Sequence, residues 1–337
     1  MAEVKMRSRT RGTAIRRPRS APGPLALPVM LVGTFLTIAD GGIVNVILPS
    51  LQHDLGAGER AVLWTVTAFI LAFGVSLVPA GRLGDRYGRR RILSAGLVLF
   101  ALGSAAAAAA GSAGLLIAAR TVQGIAAGLI NPQASGLIQQ MFTGERRARA
   151  MGALGSTIAI STGFGPLVGA LVLAVAPDGG GWRWAFCLEG LLAVLLLGAA
   201  RWQLSGERGR GGRVNGVDGL GAALAGGVVL CAMLPLASPG VGRWWAWAAG
   251  ALALVVALVC WERRYLGTGR QAIFDPALVR SPGMVTGCLI AMAFLAGVTG
   301  LPYLVSMYSQ RGLGLGPVPT ALLLVPNALA SAVGAAI

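Results

Sequence analysis

Charge is what this sequence has least of. Only 12% of its 337 residues are Asp, Glu, Lys or Arg, whereas 55% are hydrophobic and the mean hydropathy is +0.72. A soluble domain carries about a quarter charged residues, so a chain this poor in charge is read as an integral membrane protein. Lysine occurs once, at Lys5, outside any G-x-x-x-x-G-K-[ST] pattern. That absence excludes a phosphate-cradling loop and a Schiff-base lysine, so neither ATP hydrolysis nor lysine-based covalent chemistry is expected here. Histidine also occurs once, at His53 in a short polar stretch, where it reads as solvated. The four cysteines, Cys187, Cys231, Cys260 and Cys288, form no C-x-x-C pair and have no histidine near them. They read as small hydrophobes, and no metal site, disulfide or cofactor is expected. Short alternating segments are missing too. Outer-membrane strands alternate over ~10 residues, whereas the apolar stretches here are continuous over ~20, which argues for helices and against a barrel.

What is present is a series of about ten apolar runs, at 26–50, 61–80, 92–111, 115–139, 149–173, 184–200, 217–237, 244–261, 284–306 and 317–337. The 51 glycines fit helices that approach one another closely. The first run follows Arg16 and Arg17 as an export signal would, but it continues past Leu48 without a small-residue cleavage site, so it reads as a retained transmembrane helix. The formal charge of +16 suggests a nucleic-acid partner until the basic residues are placed. Of the 28, 23 fall in the tail before Ser20 and in stretches 81–91, 145–149, 201–213 and 263–280, which are alternate connections. Only Arg60, Arg183, Arg243 and Arg311 lie in the others, and Arg120 lies within a run. The positive-inside rule then places the N-terminus and every basic connection in the cytoplasm of a multi-pass plasma-membrane protein, and no nucleic-acid partner is needed. The expected organisation is a disordered basic tail at 1–24, a six-helix bundle at 25–200, a cytoplasmic linker at 201–216, two linker helices at 217–264, and the start of a second bundle at 265–337.

The connection between the second and third runs reads Gly81-Arg82-Leu83-Gly84-Asp85-Arg86-Tyr87-Gly88-Arg89-Arg90-Arg91. A basic topogenic loop accounts for the arginines but not for the glycines, which permit a tight turn, nor for Asp85, which can accept from arginine or face a helix N-terminus. This stretch strongly resembles the signature loop of the major facilitator superfamily. Further positions resemble the drug:proton antiporter branch with fourteen helices. The first run carries Asp40-Gly41-Gly42-Ile43-Val44-Asn45-Val46-Ile47-Leu48-Pro49, with Gly42 where the branch usually has threonine. The second run has Trp64, and Phe69 where tyrosine is common. The fourth supplies Arg120-Thr121-Val122-Gln123-Gly124 and then Asn131-Pro132. The fifth has Gly165-Pro166-Leu167-Val168-Gly169-Ala170, with Ala170 and Ser161 at places where the branch prefers glycine. Trp182-Arg183-Trp184-Ala185-Phe186 resembles a W-R-W-x-F pattern that ordinarily continues to asparagine and proline; Glu189 and Leu191 stand there instead. The likeness extends through Phe274-Asp275-Pro276-Ala277-Leu278 and Tyr303 to Gln310. About four helices of the family plan are not in this sequence.

The resemblance implies an all-α major facilitator fold set in the lipid bilayer and proton-coupled efflux of small amphipathic compounds, drugs or antibiotics, by alternating access. It implies a gating role for Gly81, Gly84, Asp85, Arg86, Gly88, Arg89 and Arg90, with Asp85 helping to close the cytoplasmic gate against the second bundle. Gly165, Pro166 and Gly169 would form a kink associated with antiport and with sealing against leak; a kink of purely structural effect is the alternative. Inserting an aspartate or arginine in mid-helix costs ~2.5 to 3.5 kcal/mol, so Asp40 and Arg120 need a reason. They either pair structurally across the bundle or form the proton-coupling site, and the family places both positions in a proton-linked region. Asn45, Gln123, Asn131 and Glu189 are candidates for the substrate cavity, although Glu189 reads first as an interfacial, solvated acid. Asp218 reads as an acid at a helix N-terminus. A truncated, non-transporting remnant and a lipid-modifying membrane enzyme are the competing readings; the enzyme is disfavoured because dispersed acids and one histidine offer no catalytic cluster.

Overall fold

The structure, a computed structural model, describes residues 24–176, 180–203, 218–237, 244–267, 281–315, 319, 320, 322–327 and 330. Among them are nine α-helices: α1 (Ala26–Leu55), α2 (Glu59–Tyr87), α3 (Arg89–Ala108), α4 (Ala113–Met141), α5 (Gly144–Val175), α6 (Gly181–Gln203), α7 (Gly219–Ala237), α8 (Trp244–Gly267) and α9 (Pro282–Met307). A π-helical turn, Tyr308–Gly312, follows α9. Seven of the helices are long and apolar enough to cross a bilayer, and α7 and α9 contain shorter apolar stretches. The expected basic tail, nearly all of the 201–216 linker, the Phe274–Leu278 segment and most of the tenth run lie outside the described residues.

The helices outrun the apolar runs that announce them. Helix α1 continues to Leu55, α2 to Tyr87, and α5 starts at Gly144, so most of the expected loops at 81–91 and 145–149 are helical, and His53 occupies the last turn of α1. Hydropathy registers only the part of a helix that replaces lipid contact, whereas backbone hydrogen bonding continues into the interface. What breaks the chain is local chemistry. Gly56 ends α1 in the left-handed region at φ 57°, and Gly88 alone separates α2 from α3 at φ 96°, which a residue with a Cβ rarely adopts. Ser112 caps α4 by accepting from the Leu115 amide at 3.4 Å. Asp218 caps α7, its Oδ1 accepting from the Gly221 amide at 2.8 Å, and the same carboxylate accepts from Trp261 Nε1 on α8, which ties the α7–α8 pair together.

Helices α1 to α6 form one bundle. Helix α4 packs along α2 and α3, α1 along α5, and α3 along α6, while α7 joins α2 and pairs with α8. Small residues set the crossings. A Cβ on Gly124 would collide with the Phe69 carbonyl of α2, and one on Gly128 would lie 2.6 Å from Ser76 Cβ. On the other side, a Cβ on Gly165 would lie 2.5 Å from the Ala39 carbonyl oxygen, and one on Gly169 would lie 2.9 Å from that of Ile43. Large apolar side chains such as Leu102, Leu195 and Leu252 point outward. An aqueous surface would not carry them; a lipid one does. The bundle is therefore an integral membrane structure with its polar residues turned inward.

Candidate functional site

Asp40 lies halfway along α1 and Arg120 in the second turn of α4, and both are completely enclosed. Arg120 reaches across the bundle in a fork: Nη1 donates to Asp40 Oδ1 at 2.6 Å and Nη2 to Asp40 Oδ2 at 2.7 Å. Two further donors are also engaged, Nη1 with Gln123 Oε1 at 2.8 Å and Nε with the Thr65 carbonyl at 3.3 Å. The guanidinium lies 4.3 Å from the Phe69 ring centroid and 5.8 Å from that of Phe186. Two short charge-assisted bonds, further acceptors and two aromatic faces are what a buried guanidinium needs to offset its desolvation.

Gln123 extends this pair into a network. Its oxygen accepts from Arg120, and its amide nitrogen donates to Ser104 Oγ at 2.8 Å and to Glu189 Oε2 at 3.3 Å. Glu189 on α6 is buried, which corrects its reading as an interfacial, solvated acid. Counting residues from the end of an apolar run locates depth but not direction, and α6 turns Glu189 toward α3 and α4. Ser104, in an alanine-rich stretch, had no signal in the sequence. The network thus joins α1, α3, α4 and α6 through five side chains.

The other cavity candidates lie elsewhere. Asn131 donates to Thr37 Oγ1 at 2.9 Å and to the Ala127 carbonyl at 3.0 Å, linking α4 to α1 away from the ion pair. Asn45 is exposed. Five residues beyond Asp40, it is rotated about 140° around α1, onto a different face. Gly165, Pro166 and Gly169 sit against α1 at the level of the site. A Cβ on Gly42 would lie 2.6 Å from Pro166 Cδ, so the glycine that stands in the usual threonine position is what lets the proline ring dock. Helix α5 runs unbroken through Pro166.

The motif between α2 and α3 forms a separate cluster. Asp85 accepts from Arg89 Nη2 at 2.6 Å, one turn on, and Arg89 Nη1 reaches the Pro132 carbonyl on α4 at 3.2 Å. Arg90 donates to the Arg201 carbonyl at the end of α6 at 2.8 Å. Glycines make room for this packing: a Cβ on Gly84 would strike Gln133, and one on Gly136 would strike Arg89. Gln133, which donates to the Ala80 carbonyl at 2.8 Å, escaped the sequence reading although a glutamine inside an apolar run was a usable signal. At the opposite end, Asp54 accepts from Trp182 Nε1 at 2.9 Å and from Arg183 at 3.3 Å, and Arg183 also reaches the Ala108 and Ala110 carbonyls.

Comparison with known proteins agrees with this architecture. The family model described as Major Facilitator Superfamily matches residues 30–337. The chain is 33% identical over 329 residues, 96% of its length, to the probable actinorhodin transporter of Streptomyces coelicolor, of which the match spans 56%. It is 33% identical to the puromycin resistance protein pur8 of Streptomyces alboniger, covering 92% of this chain and 61% of that one. It is 29% identical to the tetracenomycin C resistance and export protein of Streptomyces glaucescens, covering 91% and 56%. The chain therefore spans little more than half the length of these curated relatives. Among solved structures, the proton:xylose symporter XylE aligns with a TM-score of 0.57 at 17% identity over 91% of this chain and 68% of that one. A peptide transporter POT in complex with alafosfalin aligns with a TM-score of 0.56 at 18% identity over 88% and 64%. Those two likenesses establish the fold alone. With the family model covering nearly the whole sequence and the motif clusters folded as one helical bundle, the chain belongs to the major facilitator superfamily.

Proposed function

We propose that the full-length protein carrying this chain exports small amphipathic compounds across the plasma membrane in exchange for protons, by alternating access, with its N-terminus in the cytoplasm. The observation that carries this reading is the fully buried Asp40–Arg120 fork, 2.6 and 2.7 Å long, at mid-depth in the bundle. An ionisable pair is costly inside a membrane and is retained there when its charge state does work. Protonating Asp40 loosens its hold on Arg120, and deprotonation restores it, so one proton is linked to the packing of α1 against α4. Rocking of two bundles about a midplane site would convert that local change into alternating exposure. The names of the relatives point to antibiotics and related compounds as the substrate class, and the absence of a phosphate cradle points to the proton gradient as the energy source.

The test is transport by full-length protein in everted membrane vesicles loaded with no ATP. An imposed proton gradient should drive accumulation of a lipophilic fluorescent cation, and a protonophore should abolish it. Accumulation that ignores the gradient contradicts exchange; no accumulation of any of several amphipathic antibiotics contradicts export.

A further inference from the structure

The exchange reading uses Asp40 and Arg120 and leaves the second buried carboxylate without a task. Glu189 is 1% exposed. Its Oε2 takes the Gln123 amide at 3.3 Å, whereas its Oε1 is buried and meets no donor. Gln123 also accepts from Arg120, which holds Asp40, so both carboxylates belong to one buried cluster. Two ionised carboxylates in one buried cluster are two sets of acceptors with no proton between them, and a buried charge left uncompensated is strongly disfavoured.

The polar and charged groups of the Glu189 cluster are Asp40 from α1, Ser104 from α3, and Arg120 and Gln123 from α4. Helix α5 contributes no ionisable side chain between Arg149 and its end at Val175. One guanidinium is thus set against two carboxylates. The bidentate fork already assigns the positive charge to Asp40. The cluster is neutral only if it holds one further proton, and the carboxyl oxygen that lacks a donor is on Glu189.

We propose that Glu189 is a second proton-carrying residue of the exchange cycle, holding the proton in the conformation seen here while Asp40 is ionised against Arg120. This inference rests on the exchange reading and adds a carrier to it. When the site opens to water, Glu189 gives its proton to solvent. When Asp40 is protonated in turn, the Glu189 carboxylate becomes the counter-ion of Arg120. Gln123 suits such an exchange because its oxygen is held by the guanidinium while its nitrogen donates to Glu189, so its amide stays oriented whichever carboxylate is charged. The branch that the chain resembles ordinarily has asparagine at this position, so a second carrier would be particular to chains with the acid.

Infrared difference spectroscopy on the purified full-length protein, with isotope-labelled glutamate, reads the carbonyl stretch of a protonated side chain directly. Wild type at neutral pH should show a buried glutamic-acid band. Glu189→Gln should lose it, as should Glu189→Asn, which places the branch's usual residue there and guards against misfolding. Asp40→Asn should lose it too, because Glu189 then ionises to balance Arg120; a structural glutamate with no share in the cluster would not respond. A band that survives both Glu189 substitutions, or a wild type without one, overturns the proposal. If the proposal fails while Asp40→Asn still abolishes gradient-driven efflux, the exchange reading stands without it. Efflux indifferent to the gradient overturns the exchange reading, while the band still decides where the proton sits.

Discussion

Arg120 is the residue on which most of the buried polarity converges, and its fork makes a stability prediction that does not depend on transport. Removing one partner of a buried pair leaves an uncompensated charge, at a cost of about 3–5 kcal/mol, whereas replacing both by neutral groups is often nearly neutral. Arg120→Gln should therefore lower the thermal midpoint in detergent clearly, and the Asp40→Asn, Arg120→Gln double variant should recover much of the loss. Additive losses would show that the two residues are not coupled. Arg120→Lys should behave more like the single variant than like wild type, since an ammonium cannot reproduce a planar two-pronged contact. The existence of this pair was legible in the sequence, because two expensive residues in mid-run call for each other. Glu189 was misplaced because its direction depends on the rotation of α6, which tertiary packing decides.

At the scale of elements, glycine positions decide how near the helices come. Gly124→Ala would press a methyl group into the Phe69 carbonyl, and Gly165→Ala would press one into that of Ala39. Each should cost about 1–3 kcal/mol through forced separation of packed helices. Gly198→Ala in α6, where an added Cβ meets nothing within 4 Å, should be neutral or slightly stabilising. Thermal midpoints of the three variants check the order. The α2–α3 connection allows a second separation, of folding from gating. Asp85 and Arg89 form an i,i+4 pair whose aspartate is 44% exposed, and such a pair is worth about 0.3–0.5 kcal/mol. If Asp85 takes the gating role that the resemblance implies, Asp85→Asn in the full-length protein should leave the amount of membrane protein almost unchanged while impairing transport; unimpaired transport contradicts that role. The motif was readable as residues but not as a helix end, since seven of its eleven residues, Gly81 to Tyr87, belong to α2. Gly88, whose φ is positive, was the one position where turn chemistry marked the true break.

At the scale of the whole molecule, nine of the ten apolar runs fall in order on the nine helices found among the described residues, and the boundaries erred where polar residues extend a helix into the interface. Orientation rests on the concentration of 23 of 28 basic residues in the tail and alternate connections. Reporter fusions after Arg149, Arg213 and Arg280 should score cytoplasmic and those after Gly58, Gly179 and Gly242 external; two inversions among the six would contradict the assignment. The central claim is that proton exchange passes through Asp40 as held by Arg120, and the most direct measurement is gradient-driven efflux by full-length variants in vesicles, with substrate binding measured in parallel. Asp40→Asn and Arg120→Ala should abolish efflux driven by the proton gradient while binding survives in part, and Asp40→Glu should retain some activity because a carboxylate remains. An Asp40→Asn protein that pumps at the wild-type rate with the same dependence on the gradient would reduce the pair to a structural tie and contradict the account.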